Sequence, residues 1–357
     1  MPKLMRSTAF VFFLLVLATP AWADPLAQLP APGTWAAYPN SMLRPAMYAA
    51  PGAPTPWNPK YIMDYSGGSY DPVRDELIVW GGGHADYPGN EVCRLARATG
   101  TWTCGMPSDP GPFNALGYPL NTVDMLADGN PAARHTSRHT YGSLAWVNLG
   151  TLDGFFVHGG SLAGEGYATY GAWFYHRDTL TWEQLPSTQD LFGQSDYGSK
   201  SLTDYAVWDP VRKVIHVAVR GGMRDYDPVA RQWIYKGTQS DCTDCEMGHA
   251  FDVESQIFVQ IGKGITMVWD TSTTPWTRQS VTITGDRTPV NGTSPRLAFD
   301  PVEKRYLAYD GGQTICSSTA TPGSRLRFQR AARTPARSSR TGHSVASSSW
   351  RRITASS

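Results

Sequence analysis

Hydrophobic and polar positions alternate along most of the chain in short runs that are separated by turn residues. A pattern of aromatic residue, Asp, often Pro, a polar stretch and an apolar run recurs at Tyr70, Trp208, Phe251 and Phe299, with a looser copy from Leu144. Alternation with a period of two residues, bounded by Asp-Pro turns, is typical of β-strands. No segment keeps a helical period over three turns, so the pattern predicts an all-β protein.

The repeats end on tryptophan, and their spacing fits one blade of a β-propeller. The later copies start 43 and 48 residues apart, which suits a four-stranded blade. Paired glycines let a strand end close to a crowded central channel, and tryptophan can pack between neighbouring sheets. The closing tryptophans are Trp102, Trp182, Trp233 and Trp276. We therefore predict a β-propeller of four-stranded blades, of which about five are visible, truncated from a seven-bladed ring.

The first 23 residues have the organisation of a secretory signal peptide. Lys3 and Arg6 precede an apolar run from Ala9 to Ala18, and Ala21-Trp22-Ala23 supplies small residues for cleavage. The apolar run is shorter than the roughly 20 residues that cross a bilayer. The mature chain is therefore predicted to be a secreted or periplasmic monomer without a membrane span.

Charge divides the mature chain into two unlike parts. Residues 313–357 contain eight Arg and no Lys, Asp or Glu, so this segment carries +8. Since the whole chain carries +1 and the leader +2, the body at 24–312 carries −9. An acidic body argues against nucleic acid as a partner, because phosphate contacts require a basic face. We predict that the propeller spans 24–312 and that 313–357 is a basic tail, either disordered or produced by a shifted reading frame.

Two cysteines are predicted to form a disulfide once the chain is exported. Cys93 and Cys104 flank a stretch whose Ala98-Thr99-Gly100 centre is typical of a hairpin turn. A bond between them would join neighbouring strands in an oxidising compartment.

A second cysteine motif allows more than one interpretation. Cys242, Cys245 and His249 have the spacing of three ligands of a structural zinc ion, with His216 as one candidate for the fourth. A small disulfide between Cys242 and Cys245 is the main alternative, and free thiols are the third.

Polar residues recur where strands end near the predicted mouth of the propeller. His158 and Arg220 each precede a Gly-Gly pair, so they occupy equivalent positions in successive repeats. His139 and Tyr205 open the second and third repeats at approximately matching positions. Equivalent positions of successive blades lie on one face, so we predict that these four residues share a catalytic site. Neighbouring residues predicted to bind substrate are His84, Arg138 and Tyr141.

In the stretches VWGGGH…TGTWT and VHGG…YHRDTLTW, the repeat resembles the Kelch and galactose-oxidase-like propellers. The segments RHTYGS, FVHGG, DYAVWDP and VAVRGG are similar to those of propeller-fold polysaccharide lyases that act on ulvan. That resemblance implies β-elimination on an acidic, uronate-containing polysaccharide, with no cofactor required for the chemistry. It implies His139 and Tyr205 as base and acid, in an order left open, and Arg220 and His158 as partners of the substrate carboxylate.

Other activities fit the residues less well. A glycosidase needs two carboxylates at a set separation, and no Asp/Glu pair is distinguished from the acids of the turns. No cysteine has the context of a copper site with a modified tyrosine, and a G-x-S-x-G motif is absent from the sequence. We expect an exported lyase. The alternatives are a non-catalytic propeller that binds glycan or protein, and a pseudogene-like product of a lyase ancestor that is unable to fold fully.

Overall fold

A computed structural model describes residues 41–48, 62, 65–82, 91–105, 137–150, 152–162, 169, 171–186, 205–219, 222–238, 246–311, 315–318 and 326–330. It is an all-β propeller ring of five antiparallel blades, as the sequence predicts. In every blade the first strand in the chain is innermost, and its neighbours follow outward.

The strands of the first two blades account for the N-terminal part of the described ring. A short helix, α1 (Leu43–Tyr48), precedes them. Blade 1 consists of β1 (Gly68–Asp71), β2 (Glu76–Val79), β3 (Val92–Ala96) and β4 (Thr101–Gly105). Next come β5 (Arg138–His139), β6 (Leu144–Leu149), β7 (Leu152–His158), β8 (Ser161–Leu162), β9 (Ala172–His176) and β10 (Thr181–Leu185). Blade 2 is formed by β6, β7, β9 and β10, while β5 pairs separately with β8.

The remaining three blades follow without interruption of the pattern. Blade 3 consists of β11 (Tyr205–Asp209), β12 (Val214–Val219), β13 (Gly222–Asp227) and β14 (Gln232–Gly237). Blade 4 consists of β15 (Gly248–Asp252), β16 (Ile257–Gly262), β17 (Ile265–Asp270) and β18 (Thr277–Gln279). After β19 (Ile283–Gly285) and a helical turn, α2 (Thr288–Asn291), blade 5 is formed by β20 (Arg296–Asp300), β21 (Arg305–Tyr309), β22 (Ile315–Ser318) and β23 (Leu326–Arg330). β19 pairs in parallel with β23 and adds a fifth strand to this sheet.

The repeated Asp residues build the turn between the first two strands of a blade. In blade 3, the Asp209 carboxylate accepts hydrogen bonds from Val211 N at 2.9 Å and Arg212 N at 3.2 Å. The fourth residue after the Asp, Lys213, then adopts a left-handed backbone with φ of 60°. The same arrangement of carboxylate acceptor and left-handed residue occurs after Asp71, Asp252 and Asp300. An Asp side chain that satisfies turn amides explains why the motif recurs.

The hydrophobic core lies between neighbouring blades rather than within one sheet. Trp182 of blade 2 packs on Trp80 of blade 1, with ring centroids 4.8 Å apart. Trp233 of blade 3 lies against Phe156 of blade 2, with ring centroids 6.1 Å apart, and Trp276 of blade 4 lies 5.1 Å from the ring of His216 of blade 3. The prediction that the closing tryptophans pack between sheets is confirmed for these three interfaces.

The predicted disulfide is present in blade 1. Cys93 and Cys104 are directly opposite each other on β3 and β4, and their sulfur atoms are 2.06 Å apart. The bond closes the hairpin that was predicted from the turn residues between them.

The sequence analysis predicted a leader at the N-terminal end of the chain and a boundary of the propeller at residue 312. The leader at 1–23 lies outside the described residues. The fifth sheet continues beyond the predicted boundary at 312, because β22 and β23 supply its third and fourth strands. The other residues of 313–357 are outside the described part of the chain. Within the described ranges, no helix is long and apolar enough to cross a membrane.

Candidate functional site

A cleft of about 770 Å³ opens where the innermost strands of the five blades begin. Each blade contributes at least one residue to its wall. From blade 1 to blade 5, examples are Gly68, Gly142, Tyr205, Gly248 and Arg296. The size is typical of a small-molecule or oligosaccharide site, since ligand pockets occupy roughly 300–1,000 Å³. The central position of the cleft follows from the propeller ring.

Tyr205 and His249 form a contact pair in this cleft. Their ring centroids are 5.0 Å apart, and the backbone N–H of Met247 donates a hydrogen bond of 2.7 Å to the Tyr205 hydroxyl oxygen. Gly142 makes room for the pair, because a Cβ there would lie 2.5 Å from His249 Cε1 and 2.6 Å from Tyr205 Cδ1. Blades 2, 3 and 4 therefore fix the relative positions of the two rings.

The electrostatics of the cleft keep His249 uncharged at neutral pH. Burial is the largest effect and lowers the pKa of His249 to about 4, because the imidazolium loses hydration. A hydrogen bond to the backbone of Ala206 opposes this shift, and the positive charge of Arg296 adds to it. A neutral imidazole beside a phenol can accept a proton, which a histidinium cannot do.

Arg296 supplies the positive charge of the site. Its side chain is exposed and lies on the wall of the cleft at the start of β20. Nearby on the wall, the Ser294 hydroxyl donates a 2.6 Å hydrogen bond to Glu246 Oε2. The exposed guanidinium is suited to bidentate recognition of a carboxylate on a ligand.

An aromatic wall faces this pair from blades 1 and 2. Tyr65 is 52% exposed and Tyr141 also lines the cleft. His139 lies behind them, 3% exposed, with its ring 4.9 Å from that of Tyr65 and 5.9 Å from that of Tyr141. Thus the predicted residue Tyr141 reaches the cleft itself, whereas His139 contacts it through the two tyrosines.

Two other predicted site residues lie in the protein interior. His158 is fully buried, and its ring packs 5.2 Å from that of Trp233 at the interface of blades 2 and 3. Arg138 is also fully buried, donates to the Gly159 carbonyl at 3.1 Å and lies over the Trp80 ring. Neither residue belongs to the wall of the cleft.

The predicted residues His84, Arg220, Cys242 and Cys245 lie outside the described residues. Within the described ranges, no group of three His, Cys, Asp or Glu side chains is arranged to hold a metal ion. His216 is not available as a zinc ligand, because its Nδ1 bonds to Asp225 at 2.6 Å and its Nε2 to Asp209 at 3.3 Å. The zinc hypothesis therefore loses its suggested fourth ligand, and His249 is placed in the cleft.

The sequence analysis missed Arg296 and did not assign His249 to the cleft, although the position of each residue within the repeat contained that information. Tyr205 and Arg296 both lie three residues before the aromatic residue that precedes the turn Asp, namely Trp208 and Phe299. Equivalent positions on neighbouring innermost strands start at the same end of the ring. Alignment on the aromatic-Asp pair would have placed Arg296 two blades further round the ring at the position equivalent to Tyr205, and His249 one residue further along β15 of the blade between them.

No protein-family model matches the sequence, and no curated protein is significantly similar to it. The propeller fold and the chemistry of the cleft are therefore the basis for a functional proposal.

Proposed function

We propose that the protein is an exported polysaccharide lyase that cleaves an acidic, uronate-containing glycan by β-elimination in the central cleft. The observation that carries the proposal is the contact between neutral His249 and Tyr205, with exposed Arg296 on the same wall. Together these residues offer a proton acceptor, a hydroxyl donor and a carboxylate partner, which are the three groups that the reaction needs.

The elimination requires no water and no cofactor. A base removes the proton from C5 of the uronate, and the electron pair of that C–H bond forms the double bond between C4 and C5. The bond from C4 to the glycosidic oxygen breaks, and an acid protonates the leaving oxygen. The C5 proton becomes acidic enough only when a cation or hydrogen bonds offset the charge of the adjacent carboxylate.

We assign the three tasks from the electrostatics of the cleft. Arg296 binds the carboxylate, because guanidinium remains charged and matches a carboxylate in two hydrogen bonds. His249 is the base, since it is an imidazole that is neutral at pH 7 and lies against Tyr205 in the cleft. Tyr205 is the acid for the leaving oxygen. His139, which the resemblance implied for this chemistry, has in this proposal the role of supporting Tyr65 and Tyr141.

Export is part of the proposal. The predicted leader at 1–23 directs the chain out of the cytosol. The disulfide between Cys93 and Cys104 supports this location, because such bonds persist mainly in oxidising compartments. A polymeric substrate that cannot cross a membrane would be encountered there.

A non-catalytic glycan-binding propeller is the second candidate. The half-exposed ring of Tyr65, next to Tyr141 on the wall, is the observation that favours it. Aromatic faces offer apolar area at low conformational cost, and sugar rings present C–H groups that can pack on them. Binding through these tyrosines requires no proton transfer.

The test measures the ultraviolet absorbance of the unsaturated uronate product on a panel of uronate polymers. We expect wild-type activity on at least one polymer, and losses of about 10²- to 10⁴-fold for Tyr205→Phe and His249→Gln. Arg296→Met should lose activity as well. Tyr235→Phe and Arg278→Met are matched controls on outer strands and should retain it.

Two results would separate the candidates. Retention of a polymer without product, weakened by Tyr65→Ala, would replace the lyase proposal by the binding proposal. Equal activity of wild type and Tyr205→Phe would show that the assigned acid is wrong.

A further inference from the structure

A group of buried hydrogen-bond donors lies between blades 1 and 2, away from the cleft. The group consists of Arg94 Nε on β3, the Tyr175 hydroxyl on β9 and Arg177 Nε just after β9. All three atoms are buried and none has a hydrogen-bond partner among the described residues. An unsatisfied buried donor costs roughly 1–3 kcal/mol, so three in one place call for an acceptor.

The protein supplies one carboxylate to the two guanidinium groups. Glu76 Oε2 accepts from Arg177 Nη2 at 3.3 Å and lies 4.0 Å from Arg94 Nη1. The side chains of Arg94 and Arg177 are only 14% and 16% exposed. Two guanidinium groups therefore share one carboxylate in a largely desolvated interface, where a hydrogen bond that is not made is expensive.

The third arginine of this interface has its own partners. Arg74 bonds to Asp71 at 3.0 Å, to Asp153 at 2.5 Å and to exposed Asp178 at 3.2 Å. These aspartates are the ion-pair partners of Arg74, whereas the ion-pair partner of Arg94 is Glu76. Their presence does not provide an acceptor for the three unsatisfied donors.

The pKa shifts of Arg94 and Tyr175 reflect their burial and their closeness to the other charged groups of the interface. Burial is the main cause that lowers the pKa of Arg94, and the charge of Arg177 lowers it further, more than Glu76 restores it. Burial also raises the pKa of Tyr175 to about 12, against the opposing effect of both arginines. The Tyr175 hydroxyl, on a residue that is 1% exposed, therefore remains a donor at neutral pH.

We propose that the interface of blades 1 and 2 binds a small monovalent anion, such as chloride, between Arg94, Arg177 and Tyr175. The anion accepts the hydrogen bonds of the three unsatisfied donors. A cation would be repelled by both arginines, and a water molecule has lone pairs for only two of the three donors and would itself need acceptors. Because the anion joins strands of two blades, it holds these blades together.

The site lies on the opposite side of β2 from the cleft. Leu77 and Val79 contribute to the cleft wall, whereas Glu76 and Ile78 alternate with them and face blade 2. Binding of the anion is therefore predicted to change stability and to leave the chemistry of the cleft intact.

The test compares thermal unfolding in sodium chloride with unfolding in sodium gluconate at the same sodium concentration. We expect chloride to raise the melting temperature in a saturable manner, and bromide to replace it. Arg94→Met should remove the chloride-specific increase, and Tyr175→Phe should weaken the apparent affinity several-fold. Arg97→Met is the matched control: it removes an exposed arginine of blade 1 that pairs with Asp75, and should respond like wild type.

The location is tested separately by bromide. Crystals grown in bromide should show an anomalous peak within hydrogen-bond distance of Arg94 Nε and Arg177 Nε. The absence of a peak there, or the same melting response for wild type and the folded Tyr175→Phe protein, would overturn the proposal. Equal stability of wild type in chloride and gluconate would do so as well.

Discussion

Acidification should destabilise the protein through His249, and a variant can isolate this contribution. The pKa of His249 is about 4 in the folded protein, mainly because its ring is buried, against about 6.5 in an unfolded chain. As the pH falls from about 6.5 to about 4, the unfolded state therefore takes up a proton that the folded state refuses. Stability due to neutral His249 is complete above the unfolded pKa and is lost over this window.

The size of the effect follows from the shift. Each pKa unit corresponds to about 1.4 kcal/mol, so the difference amounts to at most about 3.5 kcal/mol and less where solvent reaches the ring. His216 acts in the opposite direction. Burial disfavours its charged form, but hydrogen bonds to Asp209 and Asp225 outweigh this and raise the pKa of His216. Its contribution is complete below the unfolded pKa and is lost as the pH rises through its folded pKa.

Because the two histidines oppose each other, the wild-type curve alone does not isolate His249. The assay is urea unfolding of wild type and His249→Gln between about pH 7.5 and about pH 4.5. Glutamine has no charge to gain, so the difference between the two free energies of unfolding should shift by about 2–3 kcal/mol in favour of the variant at the acid end. A difference that is constant with pH would refute the reasoning about burial.

Three further predictions concern the blades. Gly154→Ala should lower stability by more than about 3 kcal/mol in thermal unfolding, because the added Cβ would lie 1.7 Å from the Tyr175 carbonyl oxygen. Gly105→Ala is the control, because a Cβ added there meets no atom closer than 3.5 Å. Replacing both cysteines of the blade 1 disulfide with serine should cost about 2–3 kcal/mol in urea unfolding, and reductant should affect only the wild type. Asp225→Asn should lower the free energy of unfolding by about 3–5 kcal/mol, because it removes the carboxylate that His216 and buried Lys236 share. Unchanged stability in urea unfolding would show that the two ion pairs of Asp225 do not stabilise the fold.

Much of the blade structure could be predicted because it is encoded in local sequence. The turn after β11 depends on Asp209 and the two amides that follow it, all within four residues. The hairpin of Cys93 and Cys104 likewise needs only a short turn between alternating strands. The outer strands of blade 5 were missed, since β22 and β23 lie in an Arg- and Ser-rich segment without apolar alternation. Their pairing with β21 and β19 depends on distant partners.

The residues of the candidate site could be predicted from the sequence only in part. Tyr205 and Tyr141 reach the cleft as expected, but His158, chosen by the same reasoning, is buried against Trp233. Successive residues of a strand point to opposite faces, so a change of one position moves a side chain from the cleft to the core. His249 was interpreted as a metal ligand because of its neighbours in sequence, and its neighbour in space is a tyrosine from another blade.

The sequence by itself determined the all-β class, the repeat of four-stranded blades, the Asp turns, the interblade tryptophans and the disulfide. These features depend on residues that are close in the chain or that recur with the blade. Only the tertiary structure decided that Tyr205, His249 and Arg296 share one cleft, and that Arg94, Arg177 and Tyr175 share one interface. The physical reason is that both groups are assembled across blades, where the ring geometry and the facing of each strand set the distances.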